Sequence, residues 1–217
     1  MLYLKTFTFN PFQENTYIAY DETKKAVIFD PGCYEKQERD QLTFFIHQEQ
    51  LEVVALINTH CHIDHVLGNA FIKHTYQVPL WIHSKEIPVL KSVSAYAPSY
   101  GFQAYQETEA DELLDSHTRF KIGTESLEIR FVPGHAPGHL VFYHAPSGIC
   151  IVGDTLFQGS IGRTDLPGGD HQTLLAAIRE ELFTLPDDTK VYPGHGPATT
   201  IGIEKIHNPF VGKNARF

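Results

Sequence analysis

Residues 53–65 read VVALINTHCHIDH, and this stretch decides the reading of the chain. Its first half, residues 53–58, is a buried-strand pattern, five aliphatic residues followed by Asn58. Its second half places His60, His62, Asp64 and His65 within six residues where that strand ends. Loops at strand ends are where a rigid sheet presents reactive groups. Side chains two apart on an extended backbone point the same way, so His60 and His62 can grip one cation. Asp64 and His65 open the next turn and can reach a second ion beside it. Imidazole and carboxylate are ligands for zinc, and also for harder ions such as iron or manganese.

Three later segments repeat the grammar of a strand that runs into a loop bearing His or Asp. They are IRFVPGHAPGH at 129–139, ICIVGDTLF at 149–157 and KVYPGHGP at 190–197. Glycines beside His135, Asp154 and His195 let the backbone turn sharply and approach an ion closely. The ion held by His60 and His62 wants a third ligand, which His135 can be. Asp64 and His65 can be completed by His195. Asp154 can bridge both ions, because a carboxylate has two oxygens. Such a set leaves room for a water, and two bound ions lower its pKa until hydroxide is available near neutral pH. The residues therefore predict a metal-dependent hydrolase holding two divalent metal ions, zinc first, with iron or manganese as alternatives. His139, four residues after His135, reads as a support rather than a ligand.

These elements, in this order, resemble the metallo-β-lactamase superfamily, and most of all its glyoxalase II branch of hydroxyacylglutathione hydrolases. The resemblance runs from about residue 15 to residue 210. It implies an α+β fold, the αββα four-layer sandwich of two mixed β-sheets flanked by helices. It implies His60, His62 and His135 on the first ion, Asp64, His65 and His195 on the second, Asp154 bridging, and Cys61 pointing away. Asp154 stands where many β-lactamases of the family resemble one another in carrying Cys or Ser, which favours the hydrolase-type site. Residues 159–162 with Arg163 resemble the loop whose basic residue contacts glutathione, so Arg163 is the candidate substrate-binding residue, with a structural role for it equally open. Thr164, Asp165, Leu166 and Pro167 stand where the branch has aromatic residues that pack on glutathione. Gly196, Pro197 and Ala198 stand where it carries an acidic residue and a tyrosine. The chain is thus similar to a shorter, single-domain group. One domain over 1–217 is expected, with the helical extension of glyoxalase II largely absent.

The mechanism so implied is attack of the bridging hydroxide on a thioester carbonyl, of S-lactoylglutathione or a related acyl thioester. Asp64 and Asp154 are its catalytic carboxylates, orienting the nucleophile and holding the metals. The rivals are an iron oxygenase resembling persulfide dioxygenases, a lactonase or nuclease of the same fold, and a binding protein on a dead scaffold. A net charge of −9 and no run of Lys and Arg argue against nucleic acid as a partner. No signal peptide or membrane span is read, and three cysteines are too few for a disulfide framework, so a cytoplasmic location is expected. The partner is a small-molecule thioester or ester.

Strands are expected at 2–9, 16–20, 26–30, 53–58, 79–83, 118–122, 127–133, 140–144, 149–152 and 189–192. Helices are expected at 37–50, 64–76 and 172–183, the last capped by Asp170. Residues 84–117 read as irregular. Their aromatic residues from Tyr96 to Tyr105 fit a pocket wall, packing under a long excursion, or a subunit contact, which leaves a homodimer open.

Overall fold

The computed structural model describes residues 1–215, which fall into two compact units. The first unit holds residues 1–114 and 121–126, the second 115–120 and the described residues from 127 onward.

The first unit is built on a six-stranded sheet in the order β1 (Tyr3–Phe9), β2 (Glu14–Tyr20), β3 (Lys25–Phe29), β4 (Glu52–Ile57), β5 (Leu80–His83) and β6 (Glu112–Leu114). Short turns at 10–13 and 21–24 make β1, β2 and β3 antiparallel, whereas β3 to β6 run parallel. A parallel step needs a long crossover. Helix α1 (Lys36–Gln48) supplies the one between β3 and β4. Its start is a capping box in which Glu38 and Glu35 reciprocally satisfy each other's backbone N–H groups. Residues 26–29 and 55–57 are all buried, as continuous apolar strands of a parallel sheet should be.

Two expectations are corrected in this unit. The single helix over 64–76 is two, α2 (Ile63–Val66) and α3 (Asn69–Tyr76), interrupted at Gly68. There the Gly68 N–H donates to the Pro31 carbonyl at 2.7 Å, and a Cβ would lie 2.6 Å from Cys33 Sγ. The loop after β3 passes too close for a continuous helix. Residues 84–117, read as irregular, hold α4 (Ile87–Tyr96) and β6. Leu90 and Val93 give α4 its buried face, and Ala97, just past its end, is buried too. Pro88 hid the pattern, yet it sits in the first turn, where proline is tolerated. Phe102 is buried in the same core, its ring edge-on to Tyr34 at 4.9 Å, with Tyr96 and Tyr105 packed against the cluster.

The second sheet runs β14 (Thr199–Thr200), β13 (Lys190–Pro193), β10 (Ile149–Gly153), β9 (Leu140–His144), β8 (Glu125–Phe131), β7 (Phe120–Ile122). β10 and β13 are parallel, and β8–β9, β9–β10 and β13–β14 antiparallel. Between β10 and β13 lie a two-stranded hairpin, β11 (Leu156–Phe157) with β12 (Ser160–Ile161), and helix α5 (His171–Ala177). Asp170 caps α5 as expected, accepting from the Thr173 N–H at 2.7 Å. The helix continues to Leu182 as a π-helical turn, burying Leu174, Leu175, Ile178 and Leu182. Helix α6 (Ile201–His207), which the sequence reading passed over, is the last helix among the described residues. Two mixed sheets with helices are the architecture the α+β expectation named. Among the described residues, no helix is long and apolar enough to cross a membrane.

Candidate metal centre

In the first unit β3 and β4 are parallel, so Asp30 and the loop after β4 emerge at the same edge. Ligand sites in parallel sheets form at such carboxyl ends. The Asp30 carboxylate accepts from the Thr59 N–H at 2.7 Å and the Thr59 hydroxyl at 2.6 Å. Having given its proton to Asp30, that hydroxyl is an acceptor for His60 Nδ1, 3.1 Å away. His60 then carries its proton on Nδ1, which leaves Nε2 as the nitrogen with the lone pair. The His60 and His62 rings stand perpendicular with centroids 4.8 Å apart, and His60 and His65 are 4.2 Å apart. His65 Nδ1 lies 3.3 Å from Asp30 Oδ2, and His65 Nε2 lies 3.6 Å from Asp64 Oδ2.

The backbone beneath these side chains is pinned as well. The Asp64 carbonyl accepts from Asn10 Nδ2 at 3.0 Å and the His65 carbonyl from Asn58 Nδ2 at 3.1 Å. Cys61 donates its N–H to the buried Glu86 at 2.8 Å, and its side chain belongs to the apolar core. Burial pushes the Cys61 thiol well above its usual range.

In the second unit β10 and β13 are parallel and deliver Asp154 and the His195 loop to one edge, tied by the Gly194 N–H to the Gly153 carbonyl at 2.8 Å. Asp154 Oδ2 lies 3.6 Å from His135 Nε2 and 3.4 Å from His195 Nε2. His135 Nδ1 lies 2.7 Å from the Arg163 carbonyl oxygen, which only accepts. Nδ1 therefore carries the proton and Nε2 is the donor nitrogen. The Asp154 N–H donates to His139 Nε2 at 3.0 Å, the supporting role expected of that histidine. Gly134 precedes His135 because α5 leaves no room for a side chain: with φ at +126°, a Cβ would lie 2.4 Å from the Leu174 nitrogen.

The donor chemistry fits a divalent cation. Two ligands about 2.1 Å from one ion at the tetrahedral angle stand about 3.4 Å apart, and the His–Asp pairs above are 3.3–3.6 Å apart. Asp30, His60 and His65 bring ligand atoms within 4.8 Å of one another. Asp30 was missed in the sequence because Phe-Asp-Pro-Gly after a strand reads as a turn. Glu14 was missed too. It is fully buried beside His65, its Oε1 3.9 Å from Nδ1, and burial drives its carboxyl well above the usual carboxylate range. Arg163 meets His135 through its carbonyl. Its guanidinium is exposed and grips Asp165 through two bonds of 2.7 Å, which hold that carboxyl down to about 2.

The family model described as the metallo-β-lactamase superfamily matches residues 9–195. The probable metallo-hydrolase YqgX of Bacillus subtilis (strain 168) is 36% identical over 203 residues, 93% of each chain. The hydroxyacylglutathione hydrolase GloC of Haemophilus influenzae (strain ATCC 51907 / DSM 11121 / KW20 / Rd) is 35% identical over 206 residues, 94% of this chain and 95% of that one. Among solved structures, the BLEG-1 B3 metallo-β-lactamase aligns with a TM-score of 0.88 at 38% identity, covering 96% of this chain and 99% of that one. TTHA1623 in a di-iron-bound form aligns with a TM-score of 0.84 at 33% identity, covering 95% and 99%. Fold and sequence thus agree along nearly the whole length, and the chain belongs to the metallo-β-lactamase superfamily.

Proposed function

We propose that this metallo-hydrolase cleaves a small-molecule acyl thioester with two divalent ions. His60, His62 and His135 would hold one ion, Asp64, His65 and His195 the other, and Asp154 both. The observation that carries the reading is Asp154, whose single Oδ2 stands within 3.6 Å of two imidazole nitrogens from different loops. A carboxylate so placed is shared between ligands rather than paired with one. The similarity to GloC supports a thioester as substrate.

Bound ions would supply a nucleophile at neutral pH and a sink for charge growing on the carbonyl oxygen. The chain's own residues do the rest. Thr59 and the Arg163 carbonyl fix the tautomers of His60 and His135, so that each presents Nε2. Asn10 and Asn58 hold the Asp64–His65 backbone still, which lets the Asp64 carboxylate orient the attacking water. The Arg163 fork already binds a carboxylate in Asp165 and would exchange it for one on the substrate. Zinc remains the first expectation, and the di-iron form of TTHA1623 supports iron as the alternative.

The test is elemental analysis of the purified protein joined to a thioester panel that includes S-lactoylglutathione. Asp154→Ala should lose metal and activity together, by at least about 100-fold in rate if the bridging carboxylate holds both ions. Wild-type turnover by that variant after dialysis against chelator would end the two-ion reading. The similarity to BLEG-1 favours a second reading, opening of a β-lactam ring at the same centre, so a chromogenic cephalosporin belongs in the panel.

A further inference from the structure

We propose that Glu204 and Asn208 are positioning residues for the metal donors of the second unit. They pin the tip of the β11–β12 hairpin, and that hairpin supports Asp154, His135 and His195 together. The inference rests on the reading of those three as donors.

The hairpin begins two residues after Asp154 and pairs Leu156 with Ile161 and Phe157 with Ser160. Its base closes with the Gly162 N–H on the Thr155 carbonyl at 3.2 Å. Gly162 presses so closely on the preceding donor that a Cβ would lie 1.9 Å from the Asp154 carbonyl oxygen. The next residue, Arg163, offers the carbonyl that sets the His135 tautomer. The Phe157 ring meets His195 edge-on, centroids 6.2 Å apart at 85°. The short hairpin and the two residues that follow it thus reach all three donors, and two strands of this length do not hold a shape by themselves.

What holds the tip comes from one helical turn of α6. Glu204 is 1% exposed, and its Oε2 accepts from the Gly159 N–H at 3.0 Å and from Asn208 Nδ2 at 2.8 Å. Oε1 accepts from the Thr199 hydroxyl at 2.6 Å. Asn208 Nδ2 also reaches the Ser160 carbonyl at 3.0 Å, while its Oδ1 accepts from the N–H groups of Phe210 and Val211. Gly159 at the tip and Ser160 beside it are therefore tied through their backbones to α6 and to Asn208, the residue that caps it. A buried carboxylate is costly where packing alone is needed. Here it supplies the acceptors that a sharp turn and an amide require. Neither Glu204 nor Asn208 contacts a donor, so each acts through the hairpin.

Four variants separate positioning from mere stability. Glu204→Gln keeps the pattern, its oxygen accepting from Gly159 and Asn208 and its amide donating to the Thr199 oxygen. Glu204→Leu leaves those groups without an acceptor. Asn208→Ala cuts the bond to Ser160, together with those to Glu204, Phe210 and Val211. Thr199→Val removes only the Glu204 bond that does not lead to the hairpin. Two readouts apply: the metal dissociation constant from chelator competition, and the long-range 15N–1H spectrum of the His135 ring in metal-free protein. Glu204→Leu and Asn208→Ala should weaken metal binding about tenfold or more, the scale typical of outer partners of a metal ligand, and should change the His135 pattern. Glu204→Gln and Thr199→Val should match wild type in both. Wild-type values in Asn208→Ala, or equal losses in Thr199→Val, overturn the proposal, and Asn208→Ala decides alone if Glu204→Leu does not fold. If the wild type binds no metal, the donor assignment fails, and the His135 spectrum still judges the hairpin.

Discussion

A methyl group at Gly162 would sit 1.9 Å from the Asp154 carbonyl oxygen and 3.0 Å from His135 Nδ1. The first of these is backbone and cannot swing aside, so Gly162→Ala must displace the hairpin from both proposed donors. We expect a loss of about 1–3 kcal/mol in stability, the usual cost of overpacking, together with weaker metal binding. Urea unfolding and a chelator titration read the two effects, and an unchanged urea midpoint would falsify the close approach. At this scale the sequence was partly legible. His60, His62, Asp64 and His65 announce themselves because they crowd one short loop. His135, Asp154 and His195 do so because each repeats the same strand-to-loop grammar. Asp30, Glu14 and Glu86 do not. Each is a lone acidic residue in its stretch, and only the three-dimensional fold buries it against a histidine or a loop N–H. Arg163 adds a contact that no sequence pattern announces: its backbone carbonyl meets His135.

Among the elements, the turn at 21–24 is fastened to the turn between β7 and β8 by one carboxylate. Asp21 accepts from the N–H and hydroxyl of Thr23, at 3.0 and 2.5 Å, and from those of Thr124, at 2.8 and 3.0 Å. Burial alone would raise its pKa, but these four bonds outweigh burial and hold it below the usual value. A depressed folded-state pKa means stability that is present above the unfolded value and disappears as pH falls through the folded one. Asp21→Asn should therefore cost about 1–3 kcal/mol at neutral pH, the scale of a lost charged acceptor. Its urea midpoint should begin to approach wild type as pH falls below the usual carboxylate value of about 3.9, and meet it once the folded-state carboxyl is protonated. A gap that stays constant across that range would remove the carboxylate from the account. Strands such as β9 and β10 were readable because each is a short apolar run bounded by Gly or Pro. Helix α4 was not, because Pro88 and the tyrosines masked a spacing that only burial of Leu90 and Val93 makes visible. The break between α2 and α3 came from outside the segment, from the chain passing Gly68. The β11–β12 hairpin was too short for any periodicity to register.

For the molecule as a whole, metal is predicted to be part of the folding free energy. A ligand that binds only the folded state stabilises it by about 4 kcal/mol when free ligand exceeds its dissociation constant 1,000-fold. Protein stripped by chelator should accordingly melt lower than the reconstituted protein. Identical melting curves, with metal shown to be absent from one sample and bound in the other, would contradict this. Two packed sheets with helices were open to sequence reading because strand runs fall in both halves of the chain with helical spacing between and after them, while the α+β class came from the family resemblance.

The three cysteines carry a practical corollary. Cys33, Cys61 and Cys150 are all fully buried, and burial pushes the Cys33 thiol up to about 12. Thiolate is the reactive form, so the native protein should resist iodoacetamide altogether. Any carbamidomethyl label then records an opening event. Cys33 and Cys61 lie in the first unit and Cys150 in the second. Peptide mass spectrometry on a single timed sample would clock the breathing of each unit separately, with no engineered probe. Rapid labelling of all three in native buffer would show that these thiols are not sealed.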